Sequence, residues 1–198
     1  MDTRLKIRAK KIPAPRAQNF AHREKGTELL ELALVMPFLL VMVVGILDFG
    51  GAWAIKDQLT GAARDGARTA VASFNDTTNP QCGGTPCSVQ AAASAAVKAL
   101  NDANNPSLLT CGLDPSTDAP TSGTFTWTYT ATCANPLTVT VERAVPEVVN
   151  GTTALSTRVT VSYPYNWKFA NVAGLLGGTN IFSDPITLTS VEIMTNLN

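Results

Sequence analysis

Gly26-Thr27-Glu28-Leu29-Leu30-Glu31 opens the stretch that decides the fold, and residues 32–47 follow it without a single charge. From residue 32 to residue 55 the only charge is Asp48. As a helix rising 1.5 Å per residue, those 24 residues extend about 36 Å, enough for a hydrocarbon core of about 30 Å. Pro37 lies within the run and is expected to kink the helix or open one backbone hydrogen bond. A cleaved secretory peptide is the rival reading. It calls for a shorter apolar region ending in a small-residue site, whereas here Asp48-Phe49-Gly50-Gly51-Ala52-Trp53 follows. The run therefore reads as a retained anchor, with residues 32–55 crossing the membrane and Trp53 placed for an interface where an indole is half wet.

Charge is distributed around this run rather than balanced locally. The whole chain has fifteen basic and fifteen acidic residues, but up to Gly26 eight Lys and Arg face only Asp2 and Glu24, an excess of +6, and the remainder carries −6. A basic arm beside an apolar span follows the positive-inside bias, with the N-terminus cytoplasmic and the C-terminus outside. Such an arm also suits nucleic acid, but this one abuts the span and lacks interleaved aromatics, so no nucleic-acid partner is expected. The bilayer itself is the first expected partner.

His22 is the only histidine and lies in the arm. Once the arm is removed, Ser-His-Asp catalysis, Cys-His catalysis and histidine-ligated metals are excluded. No glycine-rich phosphate loop or metal-spaced cluster is present, so no cofactor is expected and the chain does not read as an enzyme. An enzyme would need a site made only from Asp, Glu, Ser, Thr, Tyr or Lys. Cys82, Cys87, Cys111 and Cys133 all follow the span, on the side placed outside the cytoplasm. An even count there favours two disulfides, with three possible pairings. Proximity in sequence prefers Cys82–Cys87 and Cys111–Cys133. A four-cysteine zinc site is the alternative, without the paired C-x2-C spacing such sites use.

Beyond the span, Ile55, Leu59, Ala63, Ala67, Ala70 and Phe74 recur every three or four residues, with Asp57, Arg64 and Arg68 on the opposite face. This predicts that the helix continues to residue 74, where turn formers and Pro80 end it. Gly66 and Ala67 would let it approach a sheet closely. A second, alanine-rich helix is expected over 88–101 with Ser88 as its N-cap. From residue 124 the period becomes two. Phe125, Trp127, Tyr129 and Ala131 form one strand, Leu137, Val139 and Val141 a second, and Val159 to Trp167 a third. A hairpin turn is expected at 133–136, and Pro146 with Asn150-Gly151 marks the next turn. Pro164 makes the end of the third strand a poor central partner. A fourth strand over 186–194 slips phase near Ser190, where a bulge is expected. The apolar, glycine-rich loop 169–178 is expected to cap the core. The fold class is α+β: a long N-terminal helix packed on an antiparallel sheet of about four strands. The expected organisation is a basic leader at 1–26, the long helix at 27–74 and an extracytoplasmic head at 75–198.

The run from Gly26 to Leu40, then Gly45-Ile46-Leu47-Asp48-Phe49-Gly50 and Ala62-Ala63-Arg64-Asp65-Gly66-Ala67-Arg68, resembles the opening of TadE-like proteins. A weaker likeness continues in Val159-Thr160-Val161-Ser162-Tyr163-Pro164-Tyr165 and Ile186-Thr187-Leu188. The resemblance implies a pseudopilin, or minor pilin, that acts in assembly of a tight-adherence, Flp-type type IV pilus used for adhesion or secretion. It implies a prepilin peptidase as a partner, cutting after Gly26 to leave Thr27 as the new N-terminus and Glu31 as the fifth mature residue. It also implies other pilins or pseudopilins and inner-membrane pilus machinery as partners. The protein would sit in the inner membrane, single-pass, with its head periplasmic or extracellular, or in the pilus. Leu32 stands where Tad prepilins usually carry an aromatic.

Within that frame several residues have two readings. Glu31 pairs with the free α-amine of a neighbouring subunit, or rests in the cytoplasmic headgroup layer near Lys25. Asp48 lies at the outer interface or pairs across an assembly contact. Arg64 and Arg68 form a solvated face, relieved by Asp65, or a docking face for another pilin or an anionic headgroup. Gly26, Thr27, Glu31, Pro37, Asp48, Arg64 and Arg68 are thus the candidate processing and assembly residues. The threonine faces of the first two strands are ordinary exposed positions or a surface for sugars. The alternative function is a permanently anchored extracytoplasmic binding or adhesion module.

Overall fold

A computed structural model describes residues 21–72, 76–105, 108, 110–133, 136–168 and 184–196. Most of the basic arm, Phe74 and the loop 169–178 fall outside the described residues. The chain divides into two compact units, one up to Leu40 and one from Val41 to Asn198.

The first helix, α1, runs over Ala21–Val71 and passes through Pro37. In the first unit residues 26–40 are exposed on every side. In the second unit the helix acquires a buried stripe of Asp48, Ala52, Ile55, Leu59, Ala62, Ala63, Ala67 and Ala70. The spacing is that of one face of an α-helix. Fully burying a side chain such as Leu59 or Ile55 contributes about 1.5–3 kcal/mol.

A small hairpin follows, with β1 at Thr78–Asn79 and β2 at Thr85–Pro86, paired antiparallel. The Cys82–Cys87 disulfide closes it, with Cα atoms 5.2 Å apart. The second helix, α2, spans Cys87–Asp102 and buries Val89, Ala92, Ala93, Ala96, Val97 and Leu100. Ser88 is not its cap. It lies within the first turn and donates its backbone N–H (2.6 Å) and its hydroxyl (2.7 Å) to the carboxylate of Asp76. Asp76 thus supplies from another segment the negative charge that a helix N-terminus favours.

The main sheet has five strands rather than about four: β3 at Thr121–Ser122, β4 at Thr126–Thr130, β5 at Thr138–Val149, β6 at Thr152–Tyr165 and β7 at Ile186–Thr195. They follow one another in sequence order, all antiparallel. One face carries Trp127, Tyr129, Val139, Val141, Val159, Val161 and Tyr163 into the core with α1 and α2. The other carries the threonines, including the cross-strand pair Thr128–Thr140 at 3.0 Å. Cys111 is bonded to Cys133, Cα atoms 6.0 Å apart, which ties the segment after α2 to the β4–β5 turn.

Four strand expectations change. Phe125 is not a core residue of β4; it precedes the strand in a left-handed conformation (φ 57) and is 58% exposed. The bulge lies in β5, between Glu142 and Val145, with Ala144 at φ 59. β7 holds unbroken register from Ser156↔Thr195 to Tyr165↔Ile186. Ser190 faces inward because it meets a polar partner, donating to the Thr60 hydroxyl at 2.9 Å. Pro146 does not turn the chain but lies inside β5, opposite Leu155. The turn is Asn150-Gly151, both at positive φ (52 and 79). Pairing with β4 ends at Glu142, so Pro146 sits on a free edge, where a missing N–H is tolerated. Pro164 is similar: β5 pairing stops at Ser162, leaving only β7 beside it.

The helices meet closely at Gly66. A Cβ there would lie 3.1 Å from the Ala92 carbonyl oxygen and 3.2 Å from Val159 Cγ1, whereas Gly61 has open space. Gly66→Val is therefore expected to destabilise the protein by about 1–3 kcal/mol through overpacking. Gly61→Val should be neutral or slightly stabilising, by under about 1 kcal/mol, because valine forms helix better than glycine and the added side chain meets open space. Thermal unfolding of the two variants beside the wild type checks the difference.

Candidate functional site

The processing candidates lie in the first unit. Gly26, Thr27, Glu28 and Glu31 are all exposed on α1, and a Cβ at Gly26 would meet nothing within 4 Å. Glu28 and Glu31, three residues apart, share a shallow groove of about 290 Å³ with Leu32 and Val35. Leu29, Leu30, Leu34, Phe38 and their neighbours are open around the helix. An apolar surface all round a helix requires lipid or other helices to cover it. By length and composition α1 is able to cross a membrane.

Asp48 lies elsewhere, in the second unit, and not as a snorkelling interface residue. It is 5% exposed, and its carboxylate accepts a hydrogen bond of 2.5 Å from the Tyr165 hydroxyl, which also reaches the Asp48 carbonyl at 3.1 Å. Burying a carboxylate costs several kcal/mol unless it is bonded, and Tyr165 meets that need. Gly51 makes the approach possible, since a Cβ there would lie 3.3 Å from the Tyr165 oxygen. Trp167 packs edge-on against Tyr165, ring centres 5.4 Å apart. Val44, Leu47, Asp48, Gly51, Tyr165 and Lys168 enclose a cavity of about 260 Å³.

Further along α1, three residues one turn apart contact β7. Lys56 donates to the Thr189 carbonyl, Thr60 accepts from Ser190, and Arg64 pairs with Glu192 at 2.9 Å. Arg64 therefore ties the helix to the sheet, although its side chain remains 58% exposed. Arg68 is exposed, 3.9 Å from Asp65. The ladder was not legible in sequence, because β7 reads there as an irregular strand rather than one with polar inner positions.

At the other end of the sheet, Asp76 gathers Ser88 and the Arg143 guanidinium (2.9 Å). Beside this pair Thr77, Thr78, Pro86, Thr124, Phe125, Trp127 and Ala144 line a cleft of about 430 Å³. It is largely apolar, and two of its residues, Phe125 and Ala144, hold left-handed backbones. For a bulky residue that conformation is a strained outlier. No sequence signal marked this cleft. Among the described residues no group of three or more His, Cys, Asp or Glu could hold a metal.

Burial and the Asp48 carboxylate both push the Tyr165 phenol above its ordinary range. Its bond thus contributes fully below about pH 10 and is lost as the pH rises past the phenol's folded-state value. Tyr165→Phe is expected to cost about 1–3 kcal/mol at neutral pH. Denaturant unfolding of both proteins across the alkaline range should show that difference narrowing above about pH 10.

Residues 26–68 match the family model described as TadE-like protein. The matched stretch contains the apolar run, Asp48, Arg64 and Gly66, and stops before the second helix and the sheet. No curated protein and no solved structure gives a significant match. From Gly26 to Arg68 the N-terminal helix of this chain is similar to that of TadE-like proteins.

Proposed function

We propose that this chain is a pseudopilin of a tight-adherence pilus: inserted in the inner membrane through α1, N-terminus cytoplasmic and head outside, and cut between Gly26 and Thr27 by a prepilin peptidase. Its work is assembly, not chemistry. The observation that carries the reading is the double use of α1. Its first part offers apolar side chains all round that no described residue covers, while its second part forms the core of a folded head. A helix built this way delivers the head wherever its apolar part is packed, first in lipid and then among other pilin helices.

Cutting after Gly26 would remove the basic arm and create an α-amine four residues before Glu31. A carboxylate on an apolar helix is stabilised by pairing with such an amine from a neighbouring subunit. Processing and assembly would then be coupled, since the partner charge exists only after the cut. Arg68 and the exposed side of Arg64 are the proposed contacts for other pilins or the assembly machinery.

The cleft at Phe125 and Arg143 favours a second reading, a permanently anchored binding module, because strained exposed aromatic residues cluster at ligand sites. N-terminal sequencing and intact mass from native membranes separate the two, with wild type compared against Gly26→Ala. The pseudopilin reading expects a start at Thr27 that disappears in the variant. An intact leader in both proteins would overturn it and leave the anchored module.

A further inference from the structure

The head and the apolar run overlap along α1. Tyr165 and Lys168 enclose a cavity together with Val44 and Leu47, so the lower rim of the head reaches into the last turn of the uncharged stretch. In sequence, residues 32–43 alone precede that rim. As helix they extend about 18 Å, and even the full run of residues 32–47 extends about 24 Å, against a hydrocarbon core of about 30 Å. A span this short is accommodated by local thinning or by drawing its flanking residues into the bilayer.

The rim residues have the chemistry for the second. Trp53 is 69% exposed, Ile186 is 38% exposed, and Trp167 is half-buried with its ring edge-on to Tyr165. Lys168 is exposed, follows Trp167 in the chain and lines the cavity with Tyr165. Indoles with an apolar body and a polar edge settle at headgroup level, and a lysine beside them reaches lipid phosphates by snorkelling. The Asp48–Tyr165 bond fixes this rim to the helix at a set depth, and Asp48 brings no exposed charge to it.

On the reading that α1 crosses a membrane, we propose that the rim formed by Trp53, Trp167, Lys168 and Ile186 is a second membrane contact. It would be embedded in the outer headgroup layer and bind phospholipid, with Lys168 on the phosphate. The head then touches the bilayer at a second place besides α1, and leaving the membrane for a filament means breaking this contact.

The test uses the unmodified full chain in vesicles of phosphatidylcholine and phosphatidylglycerol. The vesicles are doped with a phospholipid bearing a photoactivatable group either at the glycerol level or at the acyl terminus, and labelled residues are mapped by mass spectrometry. The glycerol-level probe is expected to label Trp53, Trp167 and Ile186, the acyl-terminal probe residues 36–43, and neither probe Val148 or Val149. Lys168→Glu should lose most of the glycerol-level labelling at Trp167 while the acyl-terminal labelling of α1 persists. Glycerol-level labelling confined to α1 would overturn the rim contact and leave the span intact. Labelling of neither α1 nor the rim would overturn the span, and the rim contact with it.

Discussion

Everything in the head depends on one stripe of α1, from Asp48 to Ala70. Among the described residues the other face of the sheet carries its threonines outward, and α2 alone, with its alanines, two valines and Leu100, offers too little bulk to cover the inner residues of β4, β5 and β6. Ile55 and Leu59 provide that bulk, and the alanines and Gly66 let the two helices lie close to each other and to Val159. Small residues thus set the distance and two large ones fill the space. The helix that carries the apolar run is a structural member of the head, not a tether attached to it.

Polar contacts decide where along the helix the sheet sits. Hydrophobic packing is non-directional, and an alanine stripe could slide by a turn with little loss. Tyr165 on Asp48 and the ladder from Lys56 to Arg64 against β7 each fix a point of register on α1, and Arg143 with Ser88 on Asp76 ties β5 to the start of α2. Asp76 is the most connected, joining the segment after α1, the start of α2 and the bulge in β5. Removing one partner from such a partly buried cluster costs more than the contact contributes, because a charge is left behind. The bulge itself belongs to this arrangement: Arg143 reaches Asp76, and its backbone N–H donates to the carbonyl of Phe125.

The parts of this fold legible in sequence are those specified by local periodicity. The buried side of α1 follows the spacing of Ile55, Leu59, Ala63 and Ala67, and the inner faces of β5 and β6 follow their alternating valines. The observed disulfides join the cysteines nearest in sequence, as proximity prefers. What local pattern does not encode is set by tertiary partners. Ser190 looked like a phase slip because nothing local announces Thr60. Phe125 fits the alternation of β4, yet a left-handed backbone turns it outward. Asp76 reads as a turn residue, with no local sign that it caps a helix whose first turn lies eleven residues on. Asp48 looked like an interface charge because Tyr165 is 117 residues away. The cleft at Phe125 follows from the bulge and the strained turn together, and neither has a residue pattern of its own.

Native-state hydrogen exchange by NMR tests the central claim, that residues 48–70 of α1 are the core of the head. The amides of Ile55, Leu59 and Ala63 should exchange through the same opening as those of Val139, Val141, Val159 and Val161, with equal free energies and equal denaturant dependence. Early exchange of the helix while the strands stay protected would contradict the account, because the sheet would then be stable without the helix it is argued to need.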